Sequence, residues 1–179
     1  EEFDPVGSVV AQVKFENFGV YGSDNIPGFQ GFSGAARYEG DEFLLDIDAN
    51  DASFDAPKIF SQPLYFSRLR SSASGTKTAT DWQIKVSDIN FSNADLDGAA
   101  AAYLKFPHGP GEKMLEFQAQ IENVDASRLS FYMPKKLLKT KAWINKRVLS
   151  GSANNLVINA KGPISPSFFK SESSEFELE

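Results

Sequence analysis

Cysteine is absent from this chain of 179 residues, and histidine occurs only once, at His108. The absence of cysteine excludes disulfides, thiolate nucleophiles and cysteine-ligated zinc or iron–sulfur centres. His108 lies in the turn sequence Pro107–Gly111, which argues against histidine-dependent triads and histidine metal clusters. There is no glycine-rich phosphate loop or G-x-S-x-G motif, and the spacing of the 24 acidic residues singles out no catalytic pair. We therefore predict no enzyme activity, no catalytic residue, no metal and no cofactor.

Long apolar runs are also lacking. No segment approaches the ~20 apolar residues that a membrane-spanning helix needs, and no secretory signal sequence is recognisable. Because the chain starts at Glu1 rather than at a methionine, we expect it to be part of a longer protein. The 18 basic and 24 acidic residues give a net charge of -6. A nucleic-acid partner requires a net basic surface, so we predict no nucleic-acid binding.

Short segments of alternating apolar and polar residues occur along most of the chain and predict half-buried β-strands. Because the strands follow one another directly, we predict a mainly β or α+β fold built on an antiparallel meander. The predicted strands are Val9–Glu16, Phe32–Glu39, Glu42–Ala49, Asp51–Pro57, Leu64–Ser71, Trp82–Phe91, Leu96–Phe106, Lys113–Ile121 and Asn155–Lys161, with loops over Phe18–Gln30 and Ser72–Thr80.

A helical segment near 126–149 is predicted to pack on this sheet. Asp125 to Ser127 has the residue types of a helix N-cap and predicts a short helix ending at Tyr132. A second helix starts no earlier than Pro134 and has a stop signal at Ser150-Gly151. Its apolar residues are three and four apart, which predicts one buried face. That face consists of Leu137, Leu138, Ala142, Ile144 and Val148.

The stretch Tyr132–Pro163, which includes this helix, has an unusual charge. It contains seven lysines and arginines and no acidic residue, so the rest of the chain has 11 basic against 24 acidic residues. Two interpretations follow. The charged residues form a solvated face above the buried stripe, or they contact anionic lipid headgroups.

Two oxygen-rich segments, Asp46–Asn50 and Asp88–Gly98, contain the residue types of calcium ligands. The first segment lacks the glycine and the glutamate that an EF-hand loop requires, because Asp51 and Pro57 occupy those positions. Acidic residues on the wet face of a strand explain the first segment better than a metal does. Turn capping is the favoured explanation of the second.

A series of short motifs extends over nearly the whole chain in a fixed order. These are Gly28–Gly34 (GFQGFSG), Asp51–Phe54 (DASF), Pro63-Leu64, Trp82–Ile84 (WQI), Phe91–Gly98 (FSNADLDG), Gly109–Glu112 (GPGE), Asp125-Ala126, Tyr132–Pro134 (YMP), Ala142–Ile144 (AWI), Val148–Gly151 (VLSG) and Gly162-Pro163. In this order they resemble the YhdP-type, AsmA-like envelope proteins of Gram-negative bacteria. In that family a YLP segment leads into a helix with a WL pair and an LxxG exit. Met133 and Ile144 replace the leucines of that pattern, and Ser150 lies in the exit.

The resemblance implies a curved, taco-like antiparallel sheet whose groove shields phospholipid acyl chains on their way between the inner and outer membranes. It implies one AsmA-like domain over 1–163, with a linker and the start of the next strand of a longer protein over 164–179. The implied partners are phospholipid acyl chains, neighbouring segments of the same long chain, and the inner membrane through an N-terminal anchor outside this sequence. The implied location is the periplasm, and the implied role is outer-membrane homeostasis.

If such a groove exists, strand alternation predicts which side chains line it. The candidate lipid-binding residues are Val13, Phe15, Phe43, Leu45, Trp82, Ile84, Leu104 and Phe117. Two other functions stay open from the sequence. The chain could be a structural or protein-interaction β domain without a ligand, or a carbohydrate-binding or hydrolytic domain that uses the Asp- and Asn-rich turns.

Overall fold

The structure is a computed structural model that describes residues 10–23, 26–164 and 174–178. Within these residues, ten strands form one antiparallel sheet, accompanied by two short helices. The elements are β1 (Val10–Val20), β2 (Gly28–Glu39), β3 (Glu42–Asp55), β4 (Leu64–Lys77), β5 (Asp81–Ser92), β6 (Leu96–Pro107), β7 (Met114–Asp125), α1 (Leu129–Tyr132), α2 (Leu138–Arg147), β8 (Ser152–Ala153), β9 (Leu156–Pro163) and β10 (Glu175–Leu178). The predicted mainly β meander is confirmed.

Each strand from β1 to β7 pairs with the next one along the chain. After β7 the chain forms the two helices and returns to the same sheet, where β8 and β9 both pair with β7 and β10 pairs with β9. In the predicted linker over 164–179, residues 165–173 and 179 lie outside the described residues. The proposed domain boundary at residue 163 therefore stays a prediction.

Several predicted element boundaries are wrong. β4 continues to Lys77, whereas Ser72–Thr80 was expected to be a turn, because the small residues of this segment pair with β3 on one side and β5 on the other. β3 is continuous to Asp55, whereas a separate strand was expected from Asp51. The loop expected over Phe18–Gln30 is also shorter, since β1 extends to Val20 and β2 begins at Gly28.

In four strands, a residue with positive φ shifts the alternation of side chains by one position. These residues are Asn17 (φ 49°), Gly31 (φ 76°), Asp51 (φ 54°) and Asp88 (φ 53°). Asparagine, aspartate and glycine are the residues that tolerate this left-handed conformation best. In each case an apolar residue lies two positions before and another lies one position after. The flanking pairs are Phe15 and Phe18, Phe29 and Phe32, Ala49 and Ala52, and Val86 and Ile89.

These positive-φ residues keep apolar side chains on one face of the sheet. The ladder between β5 and β6 shifts register between Val86 and Ile89, so that Ile89 pairs with Ala100 on the same face as Val86. Phe15 and Phe18 are likewise on one face, with ring centroids 5.9 Å apart. A bulge bends its strand and increases the local twist. Shifts of this kind interrupt the β1–β2, β2–β3, β4–β5, β5–β6 and β6–β7 ladders.

The fully buried core lies at the end of the sheet nearest the helices. One cluster surrounds Ala49, Ala52 and Leu69, and Phe66 and Phe91 pack against it. A second cluster consists of Leu96, Ile121 and Val124, covered by Leu129 and Tyr132 of α1 among others. The expectation that the helical segment packs on the sheet is therefore met by α1.

The second helix, α2, has a different buried stripe from the predicted one. Ile144 is buried and Leu137 and Val148 are partly buried, as expected, but Leu138 is 71% exposed and Ala142 is exposed as well. Lys141, by contrast, is partly buried, and its Nζ donates to Ser61 Oγ and to the Met133 carbonyl. The helix ends at Arg147, before the expected stop at Ser150-Gly151, and the Val148 N–H donates to the Ile144 carbonyl at 2.8 Å.

Candidate functional site

One continuous row of apolar side chains crosses nine strands of the sheet. Paired residues of neighbouring antiparallel strands point to the same face, so the register defines the row directly. We call this set the apolar row: Val13, Ala36, Leu45, Ala73, Val86, Ala102, Phe117, Ala160 and Phe176. Val13, Leu45, Val86, Phe117 and Phe176 are the large residues and lie on β1, β3, β5, β7 and β10, whereas alanine lies on β2, β4, β6 and β9.

A second row lies two residues away along the strands on the same face. It consists of Ala11, Tyr38, Phe43, Gly75, Ile84, Leu104, Leu115 and Gly162. The Phe43 ring covers Gly75, and a Cβ atom at Gly75 would collide with that ring. The ring centroids of Phe43 and Trp82 are 6.0 Å apart. Trp82 in turn pairs with Phe106 on β6.

All eight candidate lipid-binding residues therefore lie on this face. Val13, Leu45 and Phe117 belong to the apolar row, and Phe43, Ile84 and Leu104 belong to the second row. Phe15 pairs with Gly34 in a third row, and Trp82 precedes Ile84 by two residues on β5. The structure brings the eight together on one surface, and their role in lipid binding stays a prediction.

None of the eight is fully buried. Val13 is 55% exposed, and the other seven are partly buried. In the described part of the chain, the helix α1 covers Leu96, Ile121 and Val124 at one end of this face. Among the described residues, the face is thus a closed core near the helices, and no helix or strand packs over the apolar surface around the partly buried Phe43 and Trp82.

Several residues on this face are missing from the sequence prediction. Val86 and Phe176 belong to the apolar row itself, and Ile47, Phe106 and Leu115 lie beside it. Alternation places Val86 on the same side as Trp82 and Ile84, although Val86 was not among the eight candidates. Phe176 could be recognised only from its pairing with Ala160, because four residues are too few to establish a period.

The opposite face of the sheet is polar. One residue away from the apolar row, the register aligns Gln12, Arg37, Leu44, Ser74, Lys85, Tyr103, Glu116, Lys161 and Glu175. Lys161 Nζ lies 2.8 Å from Glu116 Oε1, and the hydrogen bond to Glu116 raises the pKa of Lys161. The acidic residues of Asp46–Asn50 belong to this face, where Asp48 contacts Arg68 at 3.1 Å. The interpretation of that segment as the wet face of a strand agrees with this geometry.

The oxygen-rich segment Asp88–Gly98 forms hydrogen bonds within the protein. Asn93 Oδ1 accepts from the backbone N–H groups of Asp95 and Leu96, which caps the turn between β5 and β6. Asp95 Oδ2 accepts from the Tyr132 hydroxyl at 2.9 Å, and Asn93 Nδ2 donates to the same hydroxyl oxygen at 3.0 Å. Burial, and next the hydrogen bond to Asp95, raise the pKa of Tyr132 to about 12. This network attaches α1 to the sheet.

A second polar cluster lies at the other end of the strands. The buried carboxylate of Asp81 accepts from the Thr80 hydroxyl at 2.8 Å and from Gln83 Nε2 at 3.0 Å, and it lies 3.2 Å from Lys105 Nζ. The hydrogen bond from Thr80 is the main reason why the pKa of Asp81 falls from 3.8 to about 2, against the opposing effect of burial. The His108 ring contacts the Thr78 carbonyl at 3.0 Å in the adjacent turn. These contacts stabilise the turn between β4 and β5.

Two further observations apply to residues 10–23, 26–164 and 174–178. No group of three or more histidine or acidic side chains there is arranged to hold a metal ion. No helix in these ranges is long and apolar enough to cross a bilayer.

The fold and its two faces define the class: a mainly β protein with an open antiparallel sheet, polar on one side and apolar and partly uncovered on the other. The family model described as YhdP protein matches residues 4–179, so the chain belongs to the YhdP family of cell-envelope proteins. The expectation from the motif order is confirmed. No curated protein and no solved structure gives a match to this chain.

Proposed function

We propose that this chain is a segment of a periplasmic lipid conduit and that its apolar face holds phospholipid acyl chains. The observation that carries the proposal is the apolar row, which crosses nine strands without a polar side chain. An exposed apolar patch of this extent is typical of a binding surface. Membership of the YhdP family supports an envelope role related to lipid transport.

The chemistry of an acyl chain suits this face. Removing one CH₂ group from water contributes about 0.8 kcal/mol, so a lipid tail gains a large free energy from any continuous apolar surface. The rows offer apolar contact rather than directional hydrogen bonds. A tail can therefore slide from one strand to the next without breaking specific polar interactions. We propose that the chain acts in this way without catalysis.

Neighbouring segments of the same long chain are the proposed protein partner. Among the described residues, β1 pairs only with β2, which leaves the backbone groups along its other edge available over Val10–Val20. An unpaired edge strand accepts a further strand through backbone hydrogen bonds. Such additions would extend the apolar face into a longer conduit. We also propose that an anchor outside this sequence attaches the long chain to the inner membrane.

Photocrosslinking tests the proposal directly. A photoreactive phenylalanine analogue placed at Phe43 or Trp82 should form adducts with phospholipid in cells. The matched control is Lys85, which lies one residue from Ile84 on the polar face of the same strand. Lipid adducts at positions 43 and 82 but not at position 85 support the conduit. Equal labelling at all three positions, or protein adducts alone at 43 and 82, would contradict it and favour an interaction domain.

Native mass spectrometry provides a second measurement. The purified chain should retain phospholipid that dissociates at raised collision energy. Leu45→Asp places a charge in the middle of the apolar row and should reduce the lipid-bound fraction. Leu44→Asp introduces the same charge at the adjacent, 53%-exposed position on the polar face and should leave that fraction unchanged. Circular dichroism of both variants distinguishes lost binding from lost folding.

A further inference from the structure

The helix α2 presents large apolar side chains and cations together on its outer side. Leu138 is 71% exposed and Trp143 is 62% exposed, although both are large and apolar. Lys136, Lys139, Lys146 and Arg147 are also exposed. The structure shows no ion pair for any of these four cations within the described residues.

The helical geometry places these groups on one arc. At about 100° per residue, Lys139 and Lys146 lie roughly opposite the buried Ile144. Leu138 lies on one side of these lysines and Trp143 lies on the other. The outer arc therefore consists of two cations between two apolar side chains. We call this arc, together with the exposed Lys136 just before the helix and Arg147 at its last position, the basic arc of α2.

Contacts on the inner side fix this orientation. The Lys135 N–H donates to the Ile59 carbonyl at 2.7 Å, and Lys135 Nζ donates to the Pro57 carbonyl at 2.6 Å. Lys141 Nζ donates to Ser61 Oγ and to the Met133 carbonyl, each at 3.3 Å. Two of the lysines thus hold the helix against the β3–β4 loop, and the basic arc is not needed for that attachment.

We propose that the basic arc docks on the headgroup layer of an anionic phospholipid membrane. Tryptophan is favoured at the boundary between headgroups and acyl chains, because its ring is apolar and its N–H group is polar. Lysine can extend its ammonium group to the phosphates while its aliphatic stem stays in apolar surroundings. Cations attract anionic lipids, and the charge of the arc is opposite to that of the chain as a whole, which is -6.

This docking surface is separate from the apolar face of the sheet. The acyl-chain site involves side chains around Phe43 and Trp82, whereas the basic arc lies on α2 and includes none of them. Membrane docking therefore adds a second contact with lipid, made through headgroups rather than tails. Acyl-chain binding by the sheet and membrane docking by α2 can be tested separately, because crosslinking at Phe43 does not depend on the charge of α2.

Vesicle sedimentation tests the docking. The whole chain is mixed at low salt with vesicles of phosphatidylethanolamine and phosphatidylglycerol in equal parts, or with vesicles of phosphatidylcholine alone. We expect binding to the anionic vesicles only, and binding should weaken as salt is added. In a Trp82→Phe background, where Trp143 is the only tryptophan, its fluorescence should shift to the blue on binding.

Charge-matched variants make the test specific. Lys139→Gln with Lys146→Gln should weaken binding about 25-fold, since each cation near an anionic surface contributes about fivefold. Lys14→Gln with Lys85→Gln removes the same charge from exposed positions on the polar face of the sheet and should leave binding near that of the unmodified chain. Circular dichroism verifies that both pairs fold.

Three results would overturn the proposal. They are equal binding to neutral and anionic vesicles, equal weakening by the two lysine pairs, and absence of vesicle binding by the folded chain. The third result can be examined further with immobilised polyglutamate. The folded chain could be retained on it while binding no vesicles, and this too would overturn the proposal. It would favour an acidic protein surface as the partner of the basic arc.

Discussion

The hydroxyl of Tyr132 donates a hydrogen bond to Asp95 Oδ2 over 2.9 Å, and this contact joins α1 to the turn between β5 and β6. Asp95 also lies 3.6 Å from Arg128 Nε, so one carboxylate contacts both the start and the end of the short helical segment. Leu129, next to Arg128 in the chain, packs on the buried cluster of Leu96, Ile121 and Val124. The polar contacts hold in place the helix that closes one end of the apolar face.

Tyr132→Phe should lower the free energy of unfolding by about 1 kcal/mol. A hydrogen bond to a charged acceptor is worth roughly 1.5–3 kcal/mol when buried, and Asp95 is 25% exposed, which reduces the value. Urea denaturation measures the change. Tyr103→Phe, on the polar face, is the control and should have little effect. An unchanged midpoint for Tyr132→Phe would show that the helix does not depend on this bond.

The ionisation of Tyr132 should make the protein less stable at high pH. Its folded pKa of about 12 is above the ordinary value of 10.0, so the native state retains the proton more strongly than the unfolded state. This contribution is complete below pH 10 and should be lost between pH 10 and 12. Unfolding experiments over that range should show a steeper loss of stability for the unmodified chain than for Tyr132→Phe.

Asp81→Asn should destabilise the protein at neutral pH by weakening the cluster with Thr80, Gln83 and Lys105. Because the folded pKa of Asp81 is lowered from 3.8 to about 2, its carboxylate contributes stability that is complete above pH 4. That contribution should disappear as the pH falls towards 2. The difference in urea midpoint between the unmodified chain and the variant is therefore expected to shrink over this interval. A difference independent of pH would contradict the assigned pKa.

Gly34→Ala should cost about 1–3 kcal/mol of stability, the range for overpacking in a tight core. A Cβ atom at position 34 would collide with the backbone carbonyl oxygen of Asp46 on the neighbouring strand, and a backbone atom cannot move aside easily. Gly109→Ala is the matched control, since no atom lies within 4 Å of its Cβ position. Thermal unfolding of both variants measures the difference. Equal stability of the two would contradict the close approach of β2 to β3.

Substitutions at Asp88 test how much its positive φ matters for the stability of the fold. Asp88→Gly should preserve or slightly raise stability, because glycine adopts φ 53° without strain. Asp88→Val should lower it by about 1–3 kcal/mol, because a β-branched residue is strained there. Urea denaturation compares the two variants. If valine is tolerated as well as glycine, the bulge is not what holds Ile89 and Val86 on one face.

Part of the apolar face could be derived from alternation alone. In the regular strands the period of two is a local property, so Phe43 and Leu45, or Trp82 and Ile84, had to share a face whatever else the fold contained. The shifts at Asn17 and Asp88 also carry a sequence signal, since an Asn or Asp lies where the apolar spacing changes from two to three. Alternation identified β9 as well, whereas its place beside β7 depended on the path of the chain after the helices.

The orientation of α2 could not be derived from its sequence. Leu138 and Ala142 are apolar, like Leu137 and Ile144, and have suitable spacing, so the sequence allows two overlapping stripes on the inner side. Contacts to Ile59 and Ser61, which are about 80 residues away along the chain, select the stripe that includes Lys141. The strand over Ser72–Lys77 was missed for a related reason. Serine and glycine have weak strand propensity, and only pairing on both sides makes this segment extended.

Local patterns in the sequence were sufficient for two features of this protein. The period of two within each segment established one apolar and one polar side per strand, and the direct succession of strands indicated an antiparallel meander. Tertiary structure decided which part of the apolar side is buried and which is open. Burial depends on what packs on top, and the covering residues Leu129 and Tyr132 belong to a helix that reaches the sheet only after β7 ends. Contacts of Lys135 and Lys141 with the β3–β4 loop turned Leu138 and Trp143 outward, where local periodicity offers no preference.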